Sequence, residues 1–180
     1  MSSFEKQEVK FEKNESPFIK TKSFNFFPDS QHKITTMIQI YNNIFAIGTE
    51  LGTVVIFDVQ NMEKIYEHQI LLNTNNYYPI SSICKINDNS LACSFLGSGT
   101  VAILDLSGDG IQYLEECNAN DITYIKNLVL ITYNVIIGSY KNYIYMWNIS
   151  TKKYIHKIII DDKSDISSMI LSKSVLYVSI

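Results

Sequence analysis

Gly138-Ser139-Tyr140-Lys141-Asn142-Tyr143-Ile144-Tyr145-Met146-Trp147-Asn148 runs from small residues through a polar turn into five aromatic and aliphatic residues closed by a side-chain amide. Earlier in the chain, Gly48-Thr49-Glu50-Leu51-Gly52-Thr53-Val54-Val55-Ile56-Phe57-Asp58 has the same layout. Each reads as the end of one β-strand, a tight turn, and a second strand that stops at Asp or Asn.

Working outward, short β-branched and aromatic runs broken by Asn, Gly, Asp or Ser fill the chain from Ile34 onward, with no helical period. Ile34 to Ile40, Ile44 to Ile47, Thr53 to Val59 and Lys64 to Leu72 make one quartet of predicted strands. Ile80 to Ile86, Leu91 to Phe95, Thr100 to Leu106 and Ile111 to Cys117 make a second. Ile122 to Ile131, Val135 to Gly138, Tyr143 to Ile149 and Lys153 to Ile160 make a third, and Ile166 to Leu171 with Val175 to Ser179 begin a fourth. Two markers test the register. Asp58, Asp105 and Asn148 close the third strands at spacings of 47 and 43, and Gly48, Phe95, Gly138 and Ser179 close the second strands at 47, 43 and 41.

Four strands per period of roughly 40 to 45 residues are the pattern of a β-propeller blade. The expected fold is therefore all-β, a propeller of four-stranded antiparallel blades with about three and a half blades present. The blades span about 34–72, 80–117 and 122–160, with an incomplete one at 166–180. Residues 1–33 mix Lys and Glu and include Pro17 and Pro28, which predicts a partly disordered tail in which Ser23-Phe24-Asn25-Phe26-Phe27 is able to dock as a strand.

On the two quoted stretches the chain resembles the WD-repeat family over about residues 34–180, with Trp147 at the family's tryptophan position. The family's Gly-His pair is missing, and Leu51, Ser98 and Lys141 stand where its turn Asp is expected. Packing and backbone ladders are thus expected to hold the blades. The resemblance implies a non-catalytic scaffold for protein assembly. A closed propeller needs at least about four blades, so the chain is expected to be a fragment of a longer protein, in which Phe24 to Phe27 would join the last blade.

Composition narrows the function. The 180 residues are 46% hydrophobic and 18% charged with a net charge of −3, which suits a globular chain. No apolar run reaches the roughly 18 residues of a spanning helix. Charge at Glu5 and Lys6, where a secretory signal would be apolar, predicts an intracellular protein, cytoplasmic or nuclear. Every basic residue is Lys, and without a guanidinium fork specific DNA reading is disfavoured, as is a phosphoinositide site.

Candidate chemistry is sparse. Cys84, Cys93 and Cys117 lack metal-ligand spacing and read as buried strand thiols, while His32, His68 and His156 cluster with none of them. Asp105-Leu106-Ser107-Gly108-Asp109-Gly110, with Glu116, imitates a calcium loop but sits between strands, where it reads as a turn. Glu115-Glu116 and Asp161-Asp162 are adjacent strand-type pairs whose members point to opposite faces. No catalytic residue, metal site or cofactor is expected.

The turns before third strands and the connections between blades share one rim. It is expected to present Glu50, Leu51, Tyr77, Tyr78, Asp121, Tyr140, Lys141, Asp161, Asp162 and Asp165. Aromatic anchors beside acids suit a basic peptide or protein surface. The alternative is a ribonucleoprotein or ribosome-assembly factor of the same architecture, its lysine-bearing tail touching phosphates.

Overall fold

The computed structural model describes residues 33–72, 77–108, 110–115, 123–160 and 164–180. Residues 1–32 of the tail, with the Phe24 to Phe27 strand, and the junction of the second and third blades at Cys117 and Ile122 lie outside the described residues.

The first predicted quartet forms β1 (Ile34–Tyr41), β2 (Ile44–Thr49), β3 (Thr53–Asp58) and β4 (Glu63–Gln69). The second forms β5 (Ile80–Asn87), β6 (Ser90–Phe95), β7 (Ser98–Asp105) and β8 (Ile111–Tyr113). The third forms β9 (Lys126–Thr132), β10 (Val135–Tyr140), β11 (Tyr143–Asn148) and β12 (Tyr154–Ile159), and β13 (Ser168–Ser172) pairs with β14 (Val175–Ser179). Each quartet is an antiparallel sheet in sequence order, because every connection within it is a hairpin. The first strands lie beside one another, β1 with β5, β5 with β9 and β9 with β13, so the sheets stack around a common inner row. This is a β-propeller of four-stranded blades with a two-strand sheet at one end.

In the second and third blades the second and third strands are hydrophobic on both faces because each lies between two sheets. In β6 and β7 every residue from Leu91 to Phe95 and from Thr100 to Leu104 is buried. Phe95 and Trp147, fully enclosed, contribute roughly 1.5–3 kcal/mol each through the apolar area they remove from water. The fourth strands face solvent, polar in Glu63–Gln69 but with Ile155, Ile158 and Ile159 exposed in β12.

Three strand expectations are corrected. β8 ends at Tyr113 because the next residues turn toward the third blade: the Glu115 N–H donates to the carbonyl of Lys152 at 2.8 Å. β9 begins at Lys126, since Tyr124 is spent on a single bridge to Leu96. Ser98 lies within β7, where its Oγ accepts the Thr100 N–H at 3.1 Å, and only Leu96 and Gly97 make the turn.

The second-strand marker shifts too. Ile44, Ser90 and Val135 pair with Asp58, Asp105 and Asn148, which makes Ser94 and Ser139, not Phe95 and Gly138, the counterparts of Gly48. The irregular pairing after Ser94 hides this in the sequence. Gly48, and Gly138 one position earlier in its own strand, are glycine for a reason of space. A Cβ on Gly48 would come within 2.8 Å of Ile80 Cγ2, and one on Gly138 within 2.4 Å of Ile125 Cγ2.

Candidate partner-binding rim

The β2–β3 turn is built by its own hydrogen bonds. The Glu50 N–H donates to the Lys33 carbonyl at 2.9 Å, and Thr49 Oγ1 accepts the Thr53 N–H at 3.1 Å. Gly52 takes φ of 72°, a left-handed conformation in which a side chain is strained. The Glu50 carboxylate turns back on Lys33, accepting its N–H at 3.3 Å and lying 3.8 Å from its Nζ. Glu50 is therefore already paired, while Leu51 is exposed.

Tyr78 crosses this turn. Its carbonyl would be 3.0 Å from a Cβ on Gly52, and its ring lies over Gly97, where a Cβ would meet Cδ1 at 3.0 Å. Gly97 in turn has φ of 86°. Tyr78 thus bridges the tight turns of two blades and packs on their shared core, whereas Tyr77 is 51% exposed. Of the two expected anchors only Tyr77 is presented.

Tyr140 is corrected outright. It lies in β10 at 6% exposure, its ring edge-on to Tyr124 with centroids 5.1 Å apart, because the strand continues inward to the turn and carries the ring into the interface between blades. Lys141 occupies the turn at φ 52°, with Nζ 5.2 Å from the Tyr140 centroid, and its carbonyl accepts the Ile166 N–H at 2.8 Å. Asp165 is exposed beside Ile166, which is buried. Asp121, Asp161 and Asp162 lie outside the described residues.

Sequence reading missed two members of the rim. Leu71 and Leu96 are 48% and 43% exposed. They belong beside Leu51 and Tyr77 because the Ile70 N–H donates to the Gly52 carbonyl at 2.9 Å and the Leu96 N–H to the Pro79 carbonyl at 2.8 Å. Leucine between strands carries no turn signal, so only the backbone contacts reveal the row.

The remaining candidates are structural. The Cys93 and Cys84 thiols are free, and burial pushes them up to about 12 and about 11. Asp105 forms a turn of its own, Oδ1 accepting the Ser107 N–H at 2.9 Å and the Ser107 hydroxyl at 2.7 Å, which holds its carboxyl below the usual range. Among the described residues no three of His, Cys, Asp and Glu converge as a metal site would need, and no helix is long and apolar enough to cross a membrane. Asp109 and Glu116 of the calcium-like loop lie outside the described residues.

No family model matches the chain, and no curated protein matches it. Solved structures do. The computationally designed Ika8 protein aligns over 81% of this chain and 42% of its own at 16% identity, with a TM-score of 0.59. The computationally designed Ika4 protein aligns over 84% of this chain and 87% of its own at 16% identity, with a TM-score of 0.62. The WD40 beta propeller domain of Doa1 aligns over 81% of this chain and 47% of its own at 12% identity, with a TM-score of 0.64. The chain spans less than half the length of Ika8 and of the Doa1 chain. At these identities the likeness is one of fold, and the fold is a β-propeller.

Proposed function

We propose that the chain is a non-catalytic protein–protein interaction scaffold of WD-repeat type, acting inside the cell. The observation that carries the reading is the row Leu51, Leu71, Tyr77 and Leu96, four large apolar side chains exposed on one rim and fixed by the backbone beneath them. A few central side chains, tyrosine prominent among them, supply most of the energy of a protein interface, which makes Tyr77 the anchor and the leucines its apolar surround. The partner is a peptide or protein surface that brings an apolar side chain with basic neighbours, which suits the exposed Asp165 and the net charge of −3. Free Cys84 and Cys93 fit a reducing compartment, cytoplasm or nucleus.

The test is selection of a displayed random-peptide library on the folded chain, then titration of an enriched peptide. Lys-bearing peptides with an apolar residue should be enriched, and Leu51→Ser/Tyr77→Ser/Leu96→Ser should weaken binding at least about tenfold. Failure to enrich any peptide, or undiminished binding by a folded triple variant, would refute the reading.

A further inference from the structure

The clefts between successive blades are not alike. Phe45, Leu91 and Ile136 face Phe57, Leu104 and Trp147, which makes their first-strand partners Gln39, Lys85 and Leu130 equivalent. Lys85 reaches from the second blade to the first. Its Nζ donates to the Ile40 carbonyl at 3.1 Å, lies 3.0 Å from Asp88 Oδ1, and sits 3.8 Å from the centroid of the Tyr41 ring. The chain thus supplies an alkylammonium to its own first cleft.

In the next cleft Leu130 stands in place of that lysine, and a cavity of about 240 Å³ opens where Ser90 and Gln112 replace Ile44 and Tyr66 of the first cleft. Its wall includes Ile86, Asn87, Ile103, Asp105, Gln112 and Ile149. By the same register Ile86 and Asn87 are the counterparts of Ile40 and Tyr41. The acids of the two blades also differ. Asp58 commits both oxygens to its own turn, Oδ1 to the N–H groups of Gln60 and Asn61 and Oδ2 to Asn61 Nδ2 at 2.7 Å. Asp105 commits Oδ1 to Ser107, and among the described residues no donor reaches its Oδ2.

We propose that this second cleft binds the side chain of a lysine presented by a partner protein. The isoleucines line the methylenes, and Asp105 Oδ2 with the side-chain carbonyl of Gln112 accepts from the ammonium, while Asn87 Oδ1 accepts the Asn89 N–H at 2.8 Å and shapes the wall. The cavity is smaller than the roughly 300–1,000 Å³ of sites for drug-sized ligands, which suits one side chain better than a cofactor. It lies among the β5–β6, β7–β8 and β11–β12 turns, at the opposite rim from Leu51 and Tyr77, so it stands independently of the scaffold row.

The test is two-dimensional NMR of the isotope-labelled chain titrated with Nα-acetyl-lysine methylamide, its Nζ-acetylated form, the norleucine analogue and n-butylammonium. Capped lysine should give saturable shifts at Ile86, Asn87, Gly110 and Gln112, and the two neutral analogues none. Asp105→Asn should weaken binding about tenfold, the loss expected for a hydrogen bond to a charged group. Asn148 already fills that position in the third blade, so the turn tolerates Asn. Leu130→Lys, which restores the internal cation of the first cleft, should abolish the shifts with the remaining spectrum unchanged. An absent response to capped lysine, equal binding of the norleucine analogue, or full binding by Asp105→Asn would overturn the proposal. Saturation by n-butylammonium but not by capped lysine would overturn the partner-protein source.

Discussion

The indole Nε1 of Trp147 donates a hydrogen bond to the backbone carbonyl of Glu115 at 2.9 Å, tying the third strand of one blade to the chain leaving the blade before it. Glu115 reinforces the tie, its Oε2 accepting the Tyr154 N–H at 3.1 Å and its Oε1 the Lys153 Nζ at 3.3 Å. Trp147 therefore works here across a blade boundary. Trp147→Phe keeps most of the buried ring but strands the carbonyl, and should cost about 1–3 kcal/mol. Urea denaturation checks this; an unchanged midpoint would mean water replaces the indole without loss.

Gly138→Ala places a methyl 2.4 Å from Ile125 Cγ2 and 3.1 Å from Leu128 Cδ2, so strand or connector must shift. The expected cost is about 1–3 kcal/mol of overpacking. Gly108→Ala, with nothing within 4 Å of the added carbon, is the matched control and should leave the melting temperature nearly unchanged.

Tyr77 and Tyr78 should separate cleanly. Tyr78→Ala removes a partly buried ring that packs against the core between two blades and is expected to cost about 1–3 kcal/mol. Tyr77→Ala should leave stability within about 0.5 kcal/mol while weakening a selected peptide. Equal destabilisation by both would place Tyr77 in the core and remove it from the rim.

Alkaline pH should destabilise the fold through its thiols. The ordinary thiol value is 9.0, against about 11 for Cys84 and about 12 for Cys93, both raised by burial. The unfolded chain thus ionises first, so the contribution is intact below about pH 9 and is lost as pH rises through the folded values. Melting temperature measured from pH 8 to pH 11 should fall more steeply for the parent than for Cys84→Ala/Cys93→Ala. In the folded state neither thiol should react quickly with a disulfide reagent at pH 8, because the thiolate is scarce.

Strand positions were readable in the sequence because packing on a neighbouring sheet favours mostly apolar residues at Ile44 to Ile47, Leu91 to Phe95 and Val135 to Ile137. Small errors arose where the backbone departs from plain pairing, as at Ser94 and Phe95, or where a neighbouring blade captures the chain, as at Glu115. The rim was less readable. Tyr140 and Tyr77 look alike in a string of letters, but one continues a buried strand and the other leaves it. The pairing of Glu50 with Lys33 and the exposure of Leu71 and Leu96 depend on which backbones meet, and spacing alone does not encode that.

The inner row β1, β5, β9, β13 links each sheet only to those beside it, so opening events need not spread through the whole molecule. Amide exchange should then act as a ruler of position. β6, enclosed on both faces, sets the slow end, since exposing its amides requires two sheets to part. The β13–β14 hairpin, paired along one edge, sets the fast end. Protection falling stepwise between them, sheet by sheet, would mark the blade as the unit in which this chain loses and regains its order.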